Sequence, residues 1–180
     1  MPPNRYRHPD DDTTLRWIVT DLTAARRDQH LHQRHVADRL GISHKAVSKL
    51  ERGSTGTLHC ATIQRHARAV NRVAVFTASG ITWAPDTALV ASLRAMNPTH
   101  PDRADQVALA LLIAQLTAAR HQAKRTQAHI GAVMGCAATA VAQIEAGRNL
   151  HLATLQRYVR ALGGVLHVDL RPTPELAVAA

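Results

Sequence analysis

Histidine is the side chain with metal-binding and catalytic chemistry that this sequence uses most often, at 12 of 180 positions. His30, His32 and His35 lie close together, but no carboxylate or cysteine completes a ligand set at an accepted spacing. His59 and Cys60 are adjacent, yet no base and acid accompany them to activate a thiol nucleophile. No glycine-rich loop that could cradle a phosphate is present. We therefore predict no metal site, no cofactor and no catalytic residues, and a protein that is not an enzyme.

A second group of polar side chains surrounds a short apolar pattern. Between residues 43 and 53, the apolar residues Ala46, Val47 and Leu50 recur at helical spacing. The side chains directed to the opposite face of this predicted helix carry positive charge or donate hydrogen bonds. They are Ser43, His44, Lys45, Ser48 and Lys49. This face of the predicted helix is therefore polar and basic.

The chain as a whole is basic, with a formal net charge of +9 and an isoelectric point of about 10.9. Residues 1–84 contain 13 Lys and Arg against 7 Asp and Glu, a difference of +6. Residues 85–180 contain 9 against 6, a difference of +3. A polyanion is the partner that such a field attracts, and both halves could contact one.

The composition also restricts the fold and the location. Aromatic residues make up only 3% of the chain, so the core must be aliphatic, which favours packed helices. No run of 18 apolar residues could span a membrane, and no apolar segment of a signal peptide follows the N-terminus. The two cysteines do not indicate a disulfide framework. These features predict a cytoplasmic protein.

The sequence contains an internal repeat. Residues 22–26 have the same sequence as residues 116–120, at an offset of 94. Beyond Gly147 the offset falls to 92, where residues 61–65 align with residues 153–157, so the second copy has lost two residues in a loop. Further pairs at the offset of 94 are Gln33 with Gln127, His35 with His129, Gly41 with Gly135, Ala46 with Ala140, Val47 with Val141, Glu51 with Glu145 and Gly53 with Gly147. The chain is therefore a duplicated domain.

Apolar periodicity and turn residues predict the elements of each copy. In the first copy, a helix ending near Arg27 precedes helices over residues 33–40, 43–53 and 59–70 and a strand over residues 73–77. The second copy ends in a corresponding strand over residues 165–170. A further helix over residues 87–96 lies between the copies.

The turn between the second and third helices carries the most specific local signal. Gly41 is expected to close the second helix with a positive φ, and Ser43 to cap the third helix. Between them, Ile42 is expected to plug the turn with an apolar side chain, and Cys136 takes its place in the second copy.

With this turn, residues 33–53 resemble the lambda-repressor/Cro class of helix-turn-helix domains, also called the Xre class, and residues 126–147 resemble it again. The resemblance covers roughly residues 12–76 and 106–170. It implies an all-α fold with minor β structure, made of two tandem five-helix-like repressor domains that each end in a short strand. The implied domains are a first unit over residues 1–84, a connecting helix and linker over residues 85–103, and a second unit over residues 104–180.

The resemblance also implies a set of DNA contacts. In this class the third helix reads base edges in the major groove, and the start of the second helix meets backbone phosphate. His44, Lys45 and Lys49 would then read bases, and Gln33 would contact phosphate. The contact residues predicted for the first copy are Gln33, Arg34, Ser43, His44, Lys45, Ser48, Lys49 and Arg52.

The second copy departs from this pattern, because its third helix has no charge over residues 137–143. Thr139 and Gln143 could bond to bases, and Ala138 could meet a thymine methyl group. Alternatively, this helix only lies near DNA while Arg148 and Asn149 hold phosphate, or the second copy has become a scaffold. The contact residues predicted for the second copy are Gln127, Ala138, Thr139, Gln143, Arg148 and Asn149.

We expect a nucleoid-associated transcriptional regulator of the repressor type that binds double-stranded DNA in a sequence-specific manner. If the two copies pair, one chain mimics a repressor dimer with unlike half-sites, so its operator is asymmetric or pseudo-palindromic. The two strands could join within the chain, as an intramolecular pseudo-dimer, or across a homodimer. Residues 155–170 also resemble the C-terminal part of Xre-type antitoxins. The alternative function is therefore an antitoxin that neutralises a partner toxin and autoregulates its operon.

Overall fold

A computed structural model describes residues 9–53, 58–83, 87–95, 101–148 and 150–173 of the chain. Within these ranges the protein forms nine α-helices and two β-strands. In chain order they are α1 (Pro9–Asp28), α2 (Gln33–Leu40), α3 (His44–Glu51), α4 (Cys60–Ala69), β1 (Arg72–Ser79), α5 (Thr87–Ala95), α6 (Pro101–Gln122), α7 (Gln127–Met134), α8 (Ala138–Glu145), α9 (Leu152–Ala161) and β2 (Val165–Pro172). The predicted class, all-α with minor β structure, is confirmed.

The chain divides into two compact units. Unit one comprises Met1–Val75 with Val168–Ala180, and unit two comprises Phe76–His167. Each unit thus contains part of both strands, and α5 occupies the segment predicted as a connecting helix. The domain limits inferred from the sequence stay a prediction.

Unit one has an aliphatic core formed by four helices. α1 begins with three aspartates, which interact favourably with the positive end of the helix dipole. Its residues Ile18 and Leu22 are completely buried, as are Val36 of α2, Val47 of α3 and Ile63 of α4. Burial of these side chains fixes which face of α3 is left to solvent.

The turn between α2 and α3 has two of the three predicted features. Gly41 adopts a left-handed conformation with φ 63°, and its N–H donates to the carbonyls of Ala37 and Asp38. The Ser43 hydroxyl accepts a hydrogen bond from the Ala46 N–H at 3.2 Å, which caps α3. Ile42, however, is 39% exposed, so the prediction that it plugs the turn is wrong. Ile42 is the single residue between Gly41 and the cap Ser43, and at this point the turn leaves its side chain partly in solvent.

Unit two repeats the arrangement with different details. Gly135 ends α7 with φ 68°, and the Thr126 hydroxyl caps α7 by accepting from the His129 N–H at 3.1 Å. Ala137 precedes α8 without a side-chain cap. A Cβ atom on Gly131 would lie only 2.7 Å from the backbone oxygen of Cys136, so α7 and the turn approach each other more closely than an alanine would allow.

β1 and β2 are hydrogen-bonded to each other in a two-stranded sheet. The Thr173 N–H donates to the Asn71 carbonyl at 3.2 Å, and Ser79 Oγ lies 2.6 Å from His167 Nε2. Since the residue preceding β1 meets the residue following β2, the strands run in opposite directions. The two strands are thus paired with each other within the chain.

Two further findings concern the described residues as a whole. None of their helices combines the length and apolarity needed to cross a lipid bilayer. Cys60 and Cys136 are both free, and burial raises the pKa of the Cys60 thiol to about 12. That thiol is therefore protonated at neutral pH.

Candidate nucleic-acid interface

α3 exposes its charged side chains and buries two of its three apolar ones. Ala46, which the apolar spacing placed on the buried face, is exposed, so the prediction for that residue is wrong. Val47 and Leu50 are buried, at 0% and 4% exposure, whereas His44, Lys45 and Lys49 are all exposed. The structure therefore brings the three predicted base-reading side chains together on one solvent face of one helix.

The remaining polar residues of this helix border the same surface. Ser43 is exposed but its hydroxyl is engaged as the cap of α3, and Ser48 is half-buried. The Arg52 guanidinium folds back on the helix, where Nε donates to the Ser48 carbonyl at 3.2 Å. Arg52 thus extends the basic surface to the end of α3.

An open groove of about 640 Å³ lies where α2 and α3 begin. It is lined by Arg26, His32, Gln33, Arg34 and His44. Three of these five residues were predicted to contact DNA, and the groove places them side by side. Arg34 is exposed and Gln33 is half-buried, so both are accessible from the groove.

The histidines before and within α2 have a structural role that the sequence analysis missed. The His32 N–H donates to Nδ1 of His35 at 3.2 Å, so the His35 imidazole partly caps the start of α2. The two rings also meet edge to face, with centroids 5.4 Å apart. The three-residue spacing from a helix cap was the signal that could have revealed this bond. Within the described ranges, no group of three or more His, Cys, Asp and Glu side chains could hold a metal ion.

A buried ion pair behind the groove was also missed. Arg26 Nε and Nη2 donate to the two carboxylate oxygens of Glu51 at 2.6 and 2.9 Å. Arg26 Nη1 also donates to the Leu31 carbonyl at 2.6 Å, and Gln33 Nε2 donates to Glu51 at 2.7 Å. Burial opposes ionisation of Glu51, but the hydrogen bonds from Arg26 and Gln33 outweigh it and hold its pKa below the ordinary value.

The same cluster recurs in unit two. Arg120 donates to Glu145 at 2.6 and 2.9 Å, and Gln127 donates to Glu145 at 2.8 Å. Arg120 Nη1 donates to the Arg125 carbonyl at 2.8 Å. The arginine, glutamine and glutamate of the cluster all recur at an offset of 94, and this recurrence was the signal in the sequence. Three separate exposed residues would have little reason to recur together.

This cluster limits what Gln33 and Gln127 can do. Each amide nitrogen is held by a buried carboxylate, which sets the orientation of the side chain. A primary amide nitrogen carries two hydrogens, so one N–H of each glutamine is not used by the glutamate. The predicted phosphate contact is therefore compatible with the cluster.

The two units differ behind this cluster. The Tyr158 hydroxyl donates to Glu145, and this bond together with burial raises the pKa of the phenol. His66 occupies the equivalent position of unit one and is completely buried. Among the described residues neither of its ring nitrogens has a hydrogen-bond partner, and burial lowers the pKa of the ring.

The predicted site residues that lie on α8 form a neutral surface. Thr139 and Gln143 are exposed on α8, and Ala138 is half-buried at its first turn. Arg148 is exposed after the helix, and Asn149 lies outside the described residues.

An open groove of about 720 Å³ lies at the start of α7 and α8. Its lining residues are Arg120, His121, Lys124, Arg125, Thr126, Gln127, Ala128, Ala138 and Glu145. Lys124 is exposed, whereas the Arg125 guanidinium donates to the Ala161 carbonyl at 2.7 Å.

No protein-family description, no curated protein and no solved structure matches this chain.

Proposed function

We propose that this protein is a transcriptional regulator, acting as a repressor, that binds double-stranded DNA through two helix-turn-helix units of the Xre class. The observation that carries the proposal is the exposed face of α3 with His44, Lys45 and Lys49. Val47 and Leu50 anchor the opposite face in the core. A short helix held in this way against the preceding helix has the form required to enter a major groove and contact base edges.

The groove beside this helix supports the proposal. Arg34 and His44 border it, and α2 begins at the groove with the positive end of its helix dipole. A DNA phosphate is the anion that would lie there when α3 is in the major groove. With a net charge of +9, phosphate contacts supply much of the affinity.

Two unlike units imply an unlike pair of half-sites. α8 presents Ala138, Thr139 and Gln143 where α3 presents His44, Lys45 and Lys49. These side chains differ in charge, length and hydrogen-bonding groups. The proposed operator is therefore asymmetric or pseudo-palindromic.

Equilibrium binding of the full chain to a duplex enriched from a random pool tests the proposal. Lys45→Ala should weaken binding by about 1–3 kcal/mol, or roughly 5- to 150-fold in Kd, and relax the preference at one base pair. The matched control is Arg16→Ala, which removes an exposed positive charge from α1 of the same unit. It should lower affinity slightly and equally for all sequences. If the two variants weaken binding alike and neither changes the sequence preference, α3 does not read bases.

A further inference from the structure

We infer that the two units select opposite base compositions, with α3 selecting guanine and α8 selecting A·T base pairs through the methyl groups of thymine. This inference rests on the proposed DNA-binding function. It assigns to each unit the chemical identity of the half-site that it reads.

Four positions of the repeat define the comparison. At the offset of 94, His44 corresponds to Ala138, Lys45 to Thr139, Ser48 to Ala142 and Lys49 to Gln143. All eight residues are exposed or half-buried. The two helices have the same position in their units but offer different chemistry.

The α3 set consists of two lysines, which carry positive charge, together with a histidine and a hydroxyl that can also donate hydrogen bonds. In the major groove, guanine presents two acceptors, O6 and N7, whereas adenine presents one acceptor next to an amino donor. Lys45 and Lys49 can only donate hydrogen bonds, so adenine offers them one partner and guanine offers two. Guanine is therefore the base that α3 favours.

The α8 set consists of methyl groups, the Thr139 hydroxyl and one amide. Ala138, Thr139 and Ala142 each present a methyl group, and thymine is the base that displays a methyl group in the major groove. The Gln143 amide has one donor and one acceptor group, which match N7 and N6 of adenine. The single charge within α8, on Glu145, is paired with Arg120 behind the surface.

The short side chains of α8 also set how near the helix must come. Alanine and threonine reach a base edge only if the backbone lies close to the floor of the groove. With no lysine or arginine on α8, no long charged side chain holds the helix away. Within the unit, Gly131 has no Cβ, and this lets the turn before α8 lie against α7.

Phosphate contacts around α8 come from residues outside the helix. Lys124 borders the groove at the start of α7, and Arg148 is exposed after α8. Cations at these places hold unit two on a duplex without adding a preference for guanine.

Selection from a random pool of duplexes with the full chain tests this assignment. The enriched sequences should contain one G-containing segment and one A·T segment. Thr139→Lys combined with Gln143→Lys gives α8 the cations of α3 and should replace the A·T segment with a G-containing one. The reciprocal variant, Lys45→Thr with Lys49→Gln, should remove the G preference and leave the A·T segment. Circular dichroism checks that both double variants retain the fold.

Deoxyuridine in place of thymine provides the sharper measurement, because it removes only the methyl group. Each contacted methyl group in the A·T segment should be worth about fourfold in Kd. Enrichment of DNA with two G-containing segments, or affinity unchanged by deoxyuridine, would overturn the inference and leave the proposed function intact. Failure to enrich or bind any duplex would overturn both.

Discussion

The guanidinium of Arg26 and the carboxylate of Glu51 form a two-point ion pair whose side chains are only 11% and 5% exposed. It joins α1 to the last residue of α3, and the pair of Arg120 and Glu145 has the same two distances in unit two. In each unit the glutamate of the ion pair also accepts a hydrogen bond from a glutamine, Gln33 at the start of α2 or Gln127 at the start of α7. It therefore couples the proposed reading helix to the scaffold on which it is mounted.

Removal of one partner of this pair should destabilise unit one strongly. Glu51→Ala leaves the Arg26 guanidinium buried without a counter-charge, which costs about 3–5 kcal/mol. Urea unfolding of the full chain, followed by circular dichroism, measures the loss in the free energy of unfolding.

Arg171 and Asp169 provide the matched control, because their ion pair is 63% and 51% exposed. Arg171→Ala should change the free energy of unfolding by about 1 kcal/mol or less. Equal losses in the two variants would show that the Arg26–Glu51 pair has no special structural role.

The buried imidazole of His66 should make unit one sensitive to acid. Burial lowers its pKa from the ordinary value of 6.5, although Glu51 opposes this effect. The unfolded chain therefore binds a proton at a pH where the folded unit does not. The contribution of His66 to the free energy of unfolding is fully present above pH 6.5. It declines as the pH falls from 6.5 towards the pKa of the folded state.

His66→Tyr isolates this effect, since unit two carries Tyr158 at the equivalent position. Urea midpoints measured from about pH 8 to about pH 5 should fall less in the variant than in the original chain. Parallel pH profiles for the two proteins would contradict this account of His66.

Positively charged side chains outside α3 and α8, the proposed reading helices, should affect the affinity for DNA and not the preference for particular base sequences. Lys124→Ala and Arg148→Ala each remove a proposed phosphate contact, so the slope of log Kd against log salt should fall by about 0.9 for each. Titrations with two different enriched duplexes should show the same loss for both. A loss confined to one sequence would assign these residues to base reading.

The close approach at Gly131 should make that position intolerant of a side chain. In Gly131→Ala, the new Cβ would meet the Cys136 carbonyl at 2.7 Å, and relief of this contact should cost about 1–3 kcal/mol. Ala37→Gly, at the equivalent position of unit one, removes a Cβ and so introduces no clash. If Gly131→Ala unfolds at the original urea midpoint, the approach is not a constraint on the fold.

The local elements could be predicted because the interactions that form them are local. Gly41 and Ser43 end one helix and begin the next through bonds to residues within four positions, and apolar periodicity marks the buried faces. The exposure of Ile42 depends on the path of the turn over the finished core, which periodicity does not describe. The residues of α3 were brought together as expected because a single helix positions all of them.

The ion pairs could not be foreseen in the same way. Arg26 and Glu51 are 25 positions apart, and a charged residue near a helix end is normally expected in solvent. Their burial follows from the packing of α1 on α3. Only their recurrence as Arg120 and Glu145 hinted at a shared structural role. His66 gave no such hint, because the second copy has a tyrosine at that position.

The central claim is that this basic, duplicated protein lies on duplex DNA with α3 against the bases. Titration of the purified full chain into labelled mixed-sequence duplexes, first at low ionic strength and then at rising salt, tests it most directly. The account predicts clear binding at low salt that weakens steeply as salt increases. Absence of binding to every duplex at low ionic strength would contradict it.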